Sequence, residues 1–483
     1  MQLLVIQRIL GLLLVIFSST LLPPIGIELY FQDGSLLPFV EAFMLTLISG
    51  ILLYLPVKNY KKELKLRDGF LVVVLFWTVL GIFGGLPFYL SEAPNLSITD
   101  SVFESISGLT TTGATVIVGL DQLPHSLLFY RQQIQWLGGM GIIVLAVAVL
   151  PMLGIGGMQL FRAETPGPVK DNKLTPRITE TAKALWFIYL GLTAACSIAY
   201  WVAGMNFFDA VAHAFSTVAI GGFSTHDASI GYFDNTAIEL IAVIFMLLSG
   251  INFAIHFGAI RNRTLRPYWR DSEFKTYIGV LAAVTVITIG YLQFNQTFTS
   301  TTESIVTGLF HVVSIGTTTG FTTAEYYSWP GFLPVLLLFV SFIGGCSGST
   351  GGGIKVIRVL LLAKQGAREL KRLVHPSAQI AVKIGTKPLP EKVLEAVWGF
   401  FAAYFAISAL MILLLMASGL DQETAFSAVA ACLNNLGPGL GDVGQNFASI
   451  NDFAKWVLCL AMLLGRLEIF TLLVLFTPAF WKK

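Results

Sequence analysis

The sequence is poor in charged residues. Only 12% of its 483 residues are Asp, Glu, Lys or Arg, whereas 55% are hydrophobic; an ordinary soluble domain has about a quarter charged residues. Too few polar side chains are present to cover a water-soluble globule of this size. Long apolar runs, such as 134–150, 238–255 and 397–415, approach the roughly 20 residues that a membrane-spanning helix needs. The chain is therefore predicted to be an all-α polytopic membrane protein.

Cysteines are few, and the residue patterns of enzymes are missing. The four cysteines, Cys196, Cys346, Cys432 and Cys459, lie in or beside apolar segments without CxxC spacing, which favours buried thiols. HExxH, nucleophile-elbow and paired intramembrane carboxylate patterns do not occur. The segment GSTGGGIK at 348–355 lacks the adjacent Gly-Lys-Ser/Thr of a phosphate-binding loop. We therefore expect no enzyme activity, no nucleotide site and no nucleic-acid partner.

Basic residues are missing from whole stretches of the chain. Lys and Arg are absent from 31–36, 91–130, 205–236, 296–331 and 419–454. Four clusters (58–67, 162–183, 261–275 and 355–392), Arg8 and the last two residues hold 27 of the 30 basic residues. The positive-inside rule assigns the clusters and both termini to the cytoplasm, with about ten membrane crossings. The acidic outer face would attract cations, although such acidity is also what the positive-inside bias leaves behind.

Four related passages recur in the outer stretches. They are SISGLTTTGAT around Gly113, FSTVAIGGFST around Gly222, VSIGTTTGFTT around Gly320 and ACLNNLGPGLG around Gly437. A residue type that caps helix N-termini stands thirteen residues before each glycine: Asp100, Asp209, Thr307 and Thr424. A further glycine follows each by 24 to 28 residues: Gly138, Gly250, Gly344 and Gly465. Chance similarity would explain the NNLGPG copy alone, but four copies in matching positions argue against chance.

The repeating unit is a helix, a short pore helix, a glycine-containing loop and a second helix. We predict four pseudo-symmetric repeats around a central pore, at 69–165, 166–270, 271–385 and 386–483, after an N-terminal two-helix hairpin at 1–68. Bare backbone is tolerated at membrane depth where it lines a watery cavity. Glycine lets successive carbonyls turn toward an axis and replace the hydration shell of a cation. The partially negative C-termini of the pore helices would favour a cation at the same point.

These loops resemble a degenerate potassium-channel filter. Together with the FIGGCSGSTGGGIK segment and GRLEIFT near the end, the TTTGA, AIGGF, TTTGF and NNLGPG loops resemble the Trk/Ktr/HKT superfamily of potassium transporters over essentially the whole chain. The resemblance implies that carbonyls of the two residues before each filter glycine bind potassium as the transported ion. The implied filter residues are Thr111, Thr112, Gly113, Ile220, Gly221, Gly222, Thr318, Thr319, Gly320, Asn435, Leu436 and Gly437.

Selectivity follows from the same resemblance. Relatives with serine at the first filter glycine tend toward sodium, so glycine at all four positions favours potassium. The second and fourth loops depart from TTTG, which predicts weaker discrimination than in a true channel.

A gate is expected below the filter. Gly344, Gly345, Gly348, Gly351, Gly352 and Gly353 interrupt what would otherwise be one spanning helix at 334–362, because each glycine costs about 1 kcal/mol relative to alanine. Arg466 lies in an apolar helix, where a charge is a functional candidate by default; a structural pair with Glu468 or with backbone carbonyls is the alternative. The resemblance implies that the glycine-rich loop and Arg466 together obstruct the cytoplasmic side of the pore.

His213 and His311 stand nine residues before their filter glycines, and Glu104 occupies the matching position in the first repeat. We expect these side chains to form hydrogen bonds behind the filter. Proton coupling through the histidines is the alternative.

The resemblance also implies partners and a location. It implies a bacterial inner-membrane protein, a homodimer with a pore in each protomer, and a cytosolic ring of regulatory subunits whose binding of ATP, ADP or NAD moves the gate. The basic stretch 364–392 would also suit anionic lipid, although solvated cytoplasmic charge explains most of it. The expected function is gated potassium uptake driven by the membrane potential. A secondary transporter coupling potassium to protons or sodium is the alternative, but four parallel pore-loop units favour the first, because alternating-access folds typically show two inverted halves.

Overall fold

A computed structural model describes residues 1–60, 62, 65–149, 178–385 and 387–482. In this part of the chain, helices form nearly all regular structure, and the only strands are Lys383–Ile384 and Lys387–Pro388, which pair antiparallel. The predicted boundary at 165/166 and the basic residues from 162 to 177 lie outside the described residues. All four cysteines are free and buried, as predicted.

The spanning helices follow the predicted order. Six segments are long and apolar enough to cross a bilayer: Leu3–Phe31, Leu36–Val57, Arg67–Leu90, Lys183–Val202, Ser272–Phe294 and Glu391–Ala417. Two bent pairs qualify as broken spans: Thr236–Ser249 with Phe253–Asn262, and Asp452–Arg466 with Phe470–Phe476. The helix His125–Val149 and the interrupted pair Leu333–Ile343 and Val356–Val374 occupy the remaining two positions of the ten.

Several spans consist of more than one helix. The first span contains the helices Leu3–Ser19 and Leu22–Phe31, and the third contains Leu66–Gly84 and Leu86–Leu90. The helix of the second span is Leu36–Tyr54, and that of the fifth span is Ile178–Val202. The remaining short helices and 3-10 turns are Leu55–Val57, Leu120–Gln122, Ser229–Phe233, Arg266–Arg270, Tyr326–Ser328, Gly441–Val443, Phe470–Leu473, Val474–Phe476 and Pro478–Trp481.

Four short helices form the buried centre of the molecule. They are Ile98–Leu109, Phe207–Ala219, Thr301–Gly316 and Gln422–Asn434, and each leads into one predicted filter loop. Every residue from 101 to 109 is buried, whereas only 28% of the apolar window in Glu391–Ala417 is buried. The spanning helices therefore enclose the short helices and leave their own outer faces for lipid.

The predicted caps of these helices are wrong. The N-caps are Ser97, Asn206, Ser300 and Asp421, and each side chain accepts a backbone N–H from the first turn. Asp100, Asp209 and Thr424 lie three residues after their caps, and Thr307 lies in the second turn of a longer helix. Acidic and hydroxyl side chains suit the first turn as well as the cap, since both positions are near the unpaired N–H groups, so spacing alone misplaced the caps.

The helix after each filter loop is broken at an equivalent place. Gly141 is non-helical (φ 69°) inside His125–Val149, and the two bent pairs turn by 93° and 109° just after Gly250 and Gly465. Leu333–Ile343 ends at Gly344. The four breaks bring irregular backbone close to the C-terminal ends of the short helices, where the predicted filter and gate residues lie.

Candidate functional site

The four predicted filter loops meet in a closed ring. Each filter glycine packs against the carbonyl oxygen of the residue that precedes the filter glycine of the next loop. A Cβ at Gly113 would lie 2.1 Å from Gly221 O, at Gly222 2.0 Å from Thr319 O, at Gly320 2.1 Å from Leu436 O, and at Gly437 2.8 Å from Thr112 O. The order is cyclic, and the fourth loop returns to the first. A larger side chain at any of these positions would push neighbouring loops apart.

Each loop repeats the same unusual backbone. The filter glycines have φ values of 83°, 78°, 85° and 96°, and positive φ recurs two residues earlier at Thr111 (57°), Ile220 (55°), Thr318 (70°) and Asn435 (55°). Three of these four residues are β-branched, for which positive φ is a genuine outlier that costs about 1–3 kcal/mol. Such strain persists only where surrounding contacts impose it, and its recurrence in four loops makes the ring the candidate functional site.

The first and third loops are also alike in their side chains. Hydroxyl groups of Thr110 and Thr112 lie 2.7 Å apart, as do those of Thr317 and Thr319. All four threonines are fully buried. These hydrogen bonds hold the polar side chains of the two TTTG loops within the protein, and leave the loop carbonyls as the groups available to a ligand.

A cavity of about 620 Å³ opens onto the ring. All four filter glycines line it, together with the acidic Asp227 and Glu325 and the basic Arg131. The ring therefore lies at the base of this cavity.

The predicted hydrogen bonds behind the filter are confirmed. The ring nitrogens of His213 lie 2.9 Å from Asp209 O and 2.8 Å from the Ser224 hydroxyl. His311 repeats this arrangement, 2.9 Å from Thr307 O and 3.1 Å from Ala324 O. Each histidine thus ties its short helix to the chain that follows the filter glycine.

The fourth repeat has alanine at the matching position, and Ser427 makes the equivalent connection. Its hydroxyl lies 3.0 Å from Leu440 O and accepts the Leu440 N–H at 2.9 Å. Glu104 supplies the connection in the first repeat, by accepting the Val116 N–H at 2.9 Å.

The glycine-rich loop lies directly against the second, third and fourth short helices and their filter loops. Thr350 Oγ1 donates to Val218 O (3.0 Å), Gly352 N to Thr318 Oγ1 (2.7 Å) and Gly353 N to Asn434 O (2.9 Å). A Cβ at Gly352 would lie 2.0 Å from Asn434 O. This close approach requires glycine.

The other predicted loop glycines fix the path of the loop. Gly344 has φ 68° and ψ −156°, a combination essentially restricted to glycine. Gly345 and Gly348 accept backbone N–H groups at 3.2 and 3.0 Å, and a Cβ at Gly351 would lie 3.0 Å from Thr317 O. The predicted interruption of the spanning helix is therefore a defined loop.

Arg466 contacts the first repeat, whereas the loop contacts described so far reach the second, third and fourth. Its guanidinium donates to Thr111 Oγ1 at 3.2 Å, to Thr350 O at 3.4 Å and to Gly139 O at 3.1 Å, and also to Gly138 O. The loop and this arginine together contact one side of all four repeats of the ring. Of the two alternative partners predicted for Arg466, backbone carbonyls are confirmed.

A cluster of charged residues surrounds this loop. Arg358 Nη2 lies 2.7 Å from Glu468 Oε2. The ammonium group of the buried Lys355 donates a hydrogen bond to Gly351 O. The Glu273 carboxyl group accepts the N–H of Ser347 (2.7 Å), within the loop, and that of Ile357 (3.0 Å), in the first turn of the helix that follows it. One side chain from a neighbouring span thus holds both the loop and the helix after it.

Residues 36–483 match a family described as TrkH, cation transport protein. The chain belongs to the TrkH family. A Trk system potassium uptake protein TrkH from Vibrio parahaemolyticus is 60% identical over 485 residues, covering 100% of both chains. The Escherichia coli protein of that name is 59% identical, and Escherichia coli TrkG is 41% identical, each covering 99% of both chains. The crystal structure of the potassium transporter TrkH from Vibrio parahaemolyticus matches with a TM-score of 0.91 and 57% identity over 100% of both chains.

These comparisons confirm the superfamily resemblance and the all-α fold with its four repeats. Membership of a family of cation transport proteins also fits the prediction that the chain is not an enzyme.

Sequence reasoning missed the buried polar face of one helix in this TrkH-family chain. Arg131 and Gln135, on His125–Val149, are almost fully buried and contact the second filter loop. The signal was present, because Arg131, Lys455 and Arg466 are the three basic residues outside the cytoplasmic clusters and chain ends. A charge within an apolar segment is a functional candidate, and this rule applies to Arg131 as it does to Arg466.

Proposed function

We propose that this chain takes up potassium across the bacterial inner membrane through the ring of four loops. The cyclic contact of each filter glycine with the carbonyl of the next loop carries the proposal, because four such loops can surround one ion. The names of the relatives, potassium uptake proteins with 59–60% identity, support potassium as the substrate. The cyclic order also favours a pore over an alternating-access transporter.

Backbone groups do the chemistry in this proposal. Carbonyls of the two residues before each filter glycine replace the hydration shell of the ion, and the C-termini of the four short helices stabilise positive charge at the same place. The second loop differs, since Gln135 donates a 2.6 Å hydrogen bond to Gly221 O. One lone pair of that carbonyl is thereby occupied, which fits weaker discrimination than four identical loops would give.

We infer that the glycine-rich loop and Arg466 form the gate. Their contacts with all four repeats on one side of the ring support this role. A fixed positive charge in the path raises the barrier to a cation, so conduction requires that Arg466 and the loop move. The contacts described above correspond to the closed arrangement.

Regulation belongs to partners in this proposal. The relatives are named as proteins of a Trk system, which supports partner subunits, and we infer that one of them is a cytosolic nucleotide-binding subunit that responds to ATP, ADP or NAD and shifts the loop. The basic clusters support a cytoplasmic position for both termini and for the surface that would contact this subunit. A homodimer with one pore in each protomer is proposed from the resemblance to the superfamily.

Rubidium uptake into KCl-loaded proteoliposomes tests the proposal. Purified wild-type protein and an Arg466→Gln variant are compared, with external KCl or NaCl as competitor and a pH-sensitive dye inside. We expect uptake in the variant to exceed wild type, with potassium competing far better than sodium and no proton movement in proportion to rubidium. Absence of uptake in both proteins would contradict the pore, and proportional proton movement would favour the coupled transporter.

A further inference from the structure

A buried ion pair lies behind the first filter loop. Arg131 Nε lies 2.8 Å from Glu104 Oε1, and the two side chains are 1% and 0% exposed. Glu104 also accepts the Thr115 hydroxyl at 3.0 Å and the Val116 N–H at 2.9 Å. Its carboxylate therefore holds the chain directly after Gly113.

The guanidinium of Arg131 reaches two loops at once. Its Nη2 donates to Thr115 Oγ1 at 3.1 Å, and its Nη1 donates to Ser224 O at 2.9 Å. Thr115 and Ser224 each lie two residues after their filter glycines, so they are equivalent positions in the first and second loops. The guanidinium also lies over the Phe223 ring, 4.2 Å from its centre.

Gln135 extends this contact by one helical turn. Its amide donates to Gly221 O at 2.6 Å and accepts the Phe223 N–H at 3.0 Å, so it holds the backbone on both sides of Gly222. Residues four apart share a helix face. Arg131 and Gln135 thus present one rigid edge of the first repeat to the second filter loop.

The charged arrangement differs from the connections in the other repeats, where neutral groups of His213, His311 and Ser427 hold the chain after the filter. Burying two charges carries a desolvation cost that apolar residues of similar volume avoid, so a buried ion pair is weak evidence for a role in stability. A guanidinium supplies several donors in a fixed planar fork, which suits a contact that must hold two loops at a set separation.

We propose that Glu104 and Arg131 are positioning residues that set the spacing between the first and second filter loops and thereby the discrimination between potassium and sodium. This inference depends on the proposed function of the ring. Potassium and sodium carry the same charge, so selection between them depends on the spacing and field of the carbonyls. Gly113 packs against Gly221 O at this boundary, so a change in the separation of the two loops changes the ring itself.

Two variants test the pair. Arg131→Lys keeps a positive charge beside Glu104 but loses the planar fork that reaches both loops. The double change Glu104→Gln with Arg131→Gln removes both charges, keeps the side-chain shape at position 104 and shortens the side chain at position 131. Asp100→Asn is the matched control, because it removes the Lys455–Asp100 ion pair (2.7 Å) from the first turn of the same short helix, away from the filter.

The readout is the ratio of NaCl to KCl concentrations that halve rubidium uptake, measured with the maximal uptake rate and the melting temperature. We expect the ratio to fall on the order of tenfold in the double variant and by a smaller factor in Arg131→Lys. In Asp100→Asn, the ratio should equal that of wild type. A purely structural role would lower the amount of folded protein and the maximal rate in parallel without changing the ratio.

The outcomes separate the two proposals. A discriminating wild type together with an unchanged ratio in folded Arg131→Lys and double variants overturns the role of the pair alone. If the double variant does not fold, Arg131→Lys decides the question. A wild-type protein that takes up rubidium with equal competition by sodium and potassium contradicts the proposed filter itself, and the positioning role with it.

Discussion

Replacing Gly113 by serine should cost the protein its preference for potassium. The new Cβ would lie 2.1 Å from Gly221 O, whereas close carbon–oxygen contacts are about 3.3–3.6 Å. The first and second loops must therefore separate by roughly 1 Å or more. A side chain at φ +83° costs a further 1–2 kcal/mol, approximately. Because a tenfold loss of preference corresponds to only about 1.4 kcal/mol of differential binding, we expect a loss of at least that size.

Gly119→Ser is a matched control for this substitution. Gly119 has nearly the same backbone angle (φ +81°) in the same repeat, but no atom lies within 4 Å of the position of its Cβ. It reproduces the backbone cost without the clash. The assay is competition of NaCl and KCl against rubidium uptake in proteoliposomes. Full retention of the potassium preference in folded Gly113→Ser, or an equal loss in Gly119→Ser, would show that the close contact between Gly113 and Gly221 O does not set the preference.

Three further predictions concern the gate and the outer loops. Arg466→Gln should raise initial rubidium uptake several-fold at an unchanged sodium-to-potassium ratio, since it removes a positive charge from the path; a changed ratio would assign Arg466 to the filter instead. Glu273→Gln should weaken the two hydrogen bonds that the Glu273 carboxyl group accepts, each worth roughly 0.5–1.5 kcal/mol, so uptake should rise and amide exchange in the glycine-rich loop should quicken; unchanged exchange would contradict the contact. Burial lowers the pKa of His226, but hydrogen bonds to Asp209 and Asp121 outweigh burial and raise it above 6.5. These ion pairs therefore stabilise the fold fully below about pH 6.5 and lose that contribution as the pH rises through the raised pKa of His226. Between about pH 6 and 8, the melting temperature of wild type should fall more steeply than that of His226→Gln. Parallel melting curves for the two proteins would contradict this prediction.

The repeat could be predicted from sequence because its signature is local. Glycine at the filter positions is required by positive φ and by the neighbouring carbonyl, so the residue type itself records the constraint. The interrupted helix at Gly344–Gly353 was predictable for the same reason, since six glycines among ten residues cannot sustain a helix.

Contacts between repeats could not be predicted in this way. Arg466 reaches Thr111 across 355 positions, and Arg131 reaches Ser224 across 93; nothing in either local sequence names its partner. Glu468 illustrates the same limit, because its ion pair with Arg358 joins positions 110 residues apart in the sequence. Sequence indicated which buried charges need partners, and the packing of distant segments determined which partners they have.

The ring of carbonyls around the four filter glycines is proposed as the site that binds the transported ion. Anomalous diffraction from crystals soaked in a rubidium or thallium salt would locate that ion. We expect ordered ions within coordination distance of the carbonyl oxygens of Thr112, Gly221, Thr319 and Leu436. Strong anomalous peaks elsewhere in the protein, with none between these four loops, would contradict this expectation.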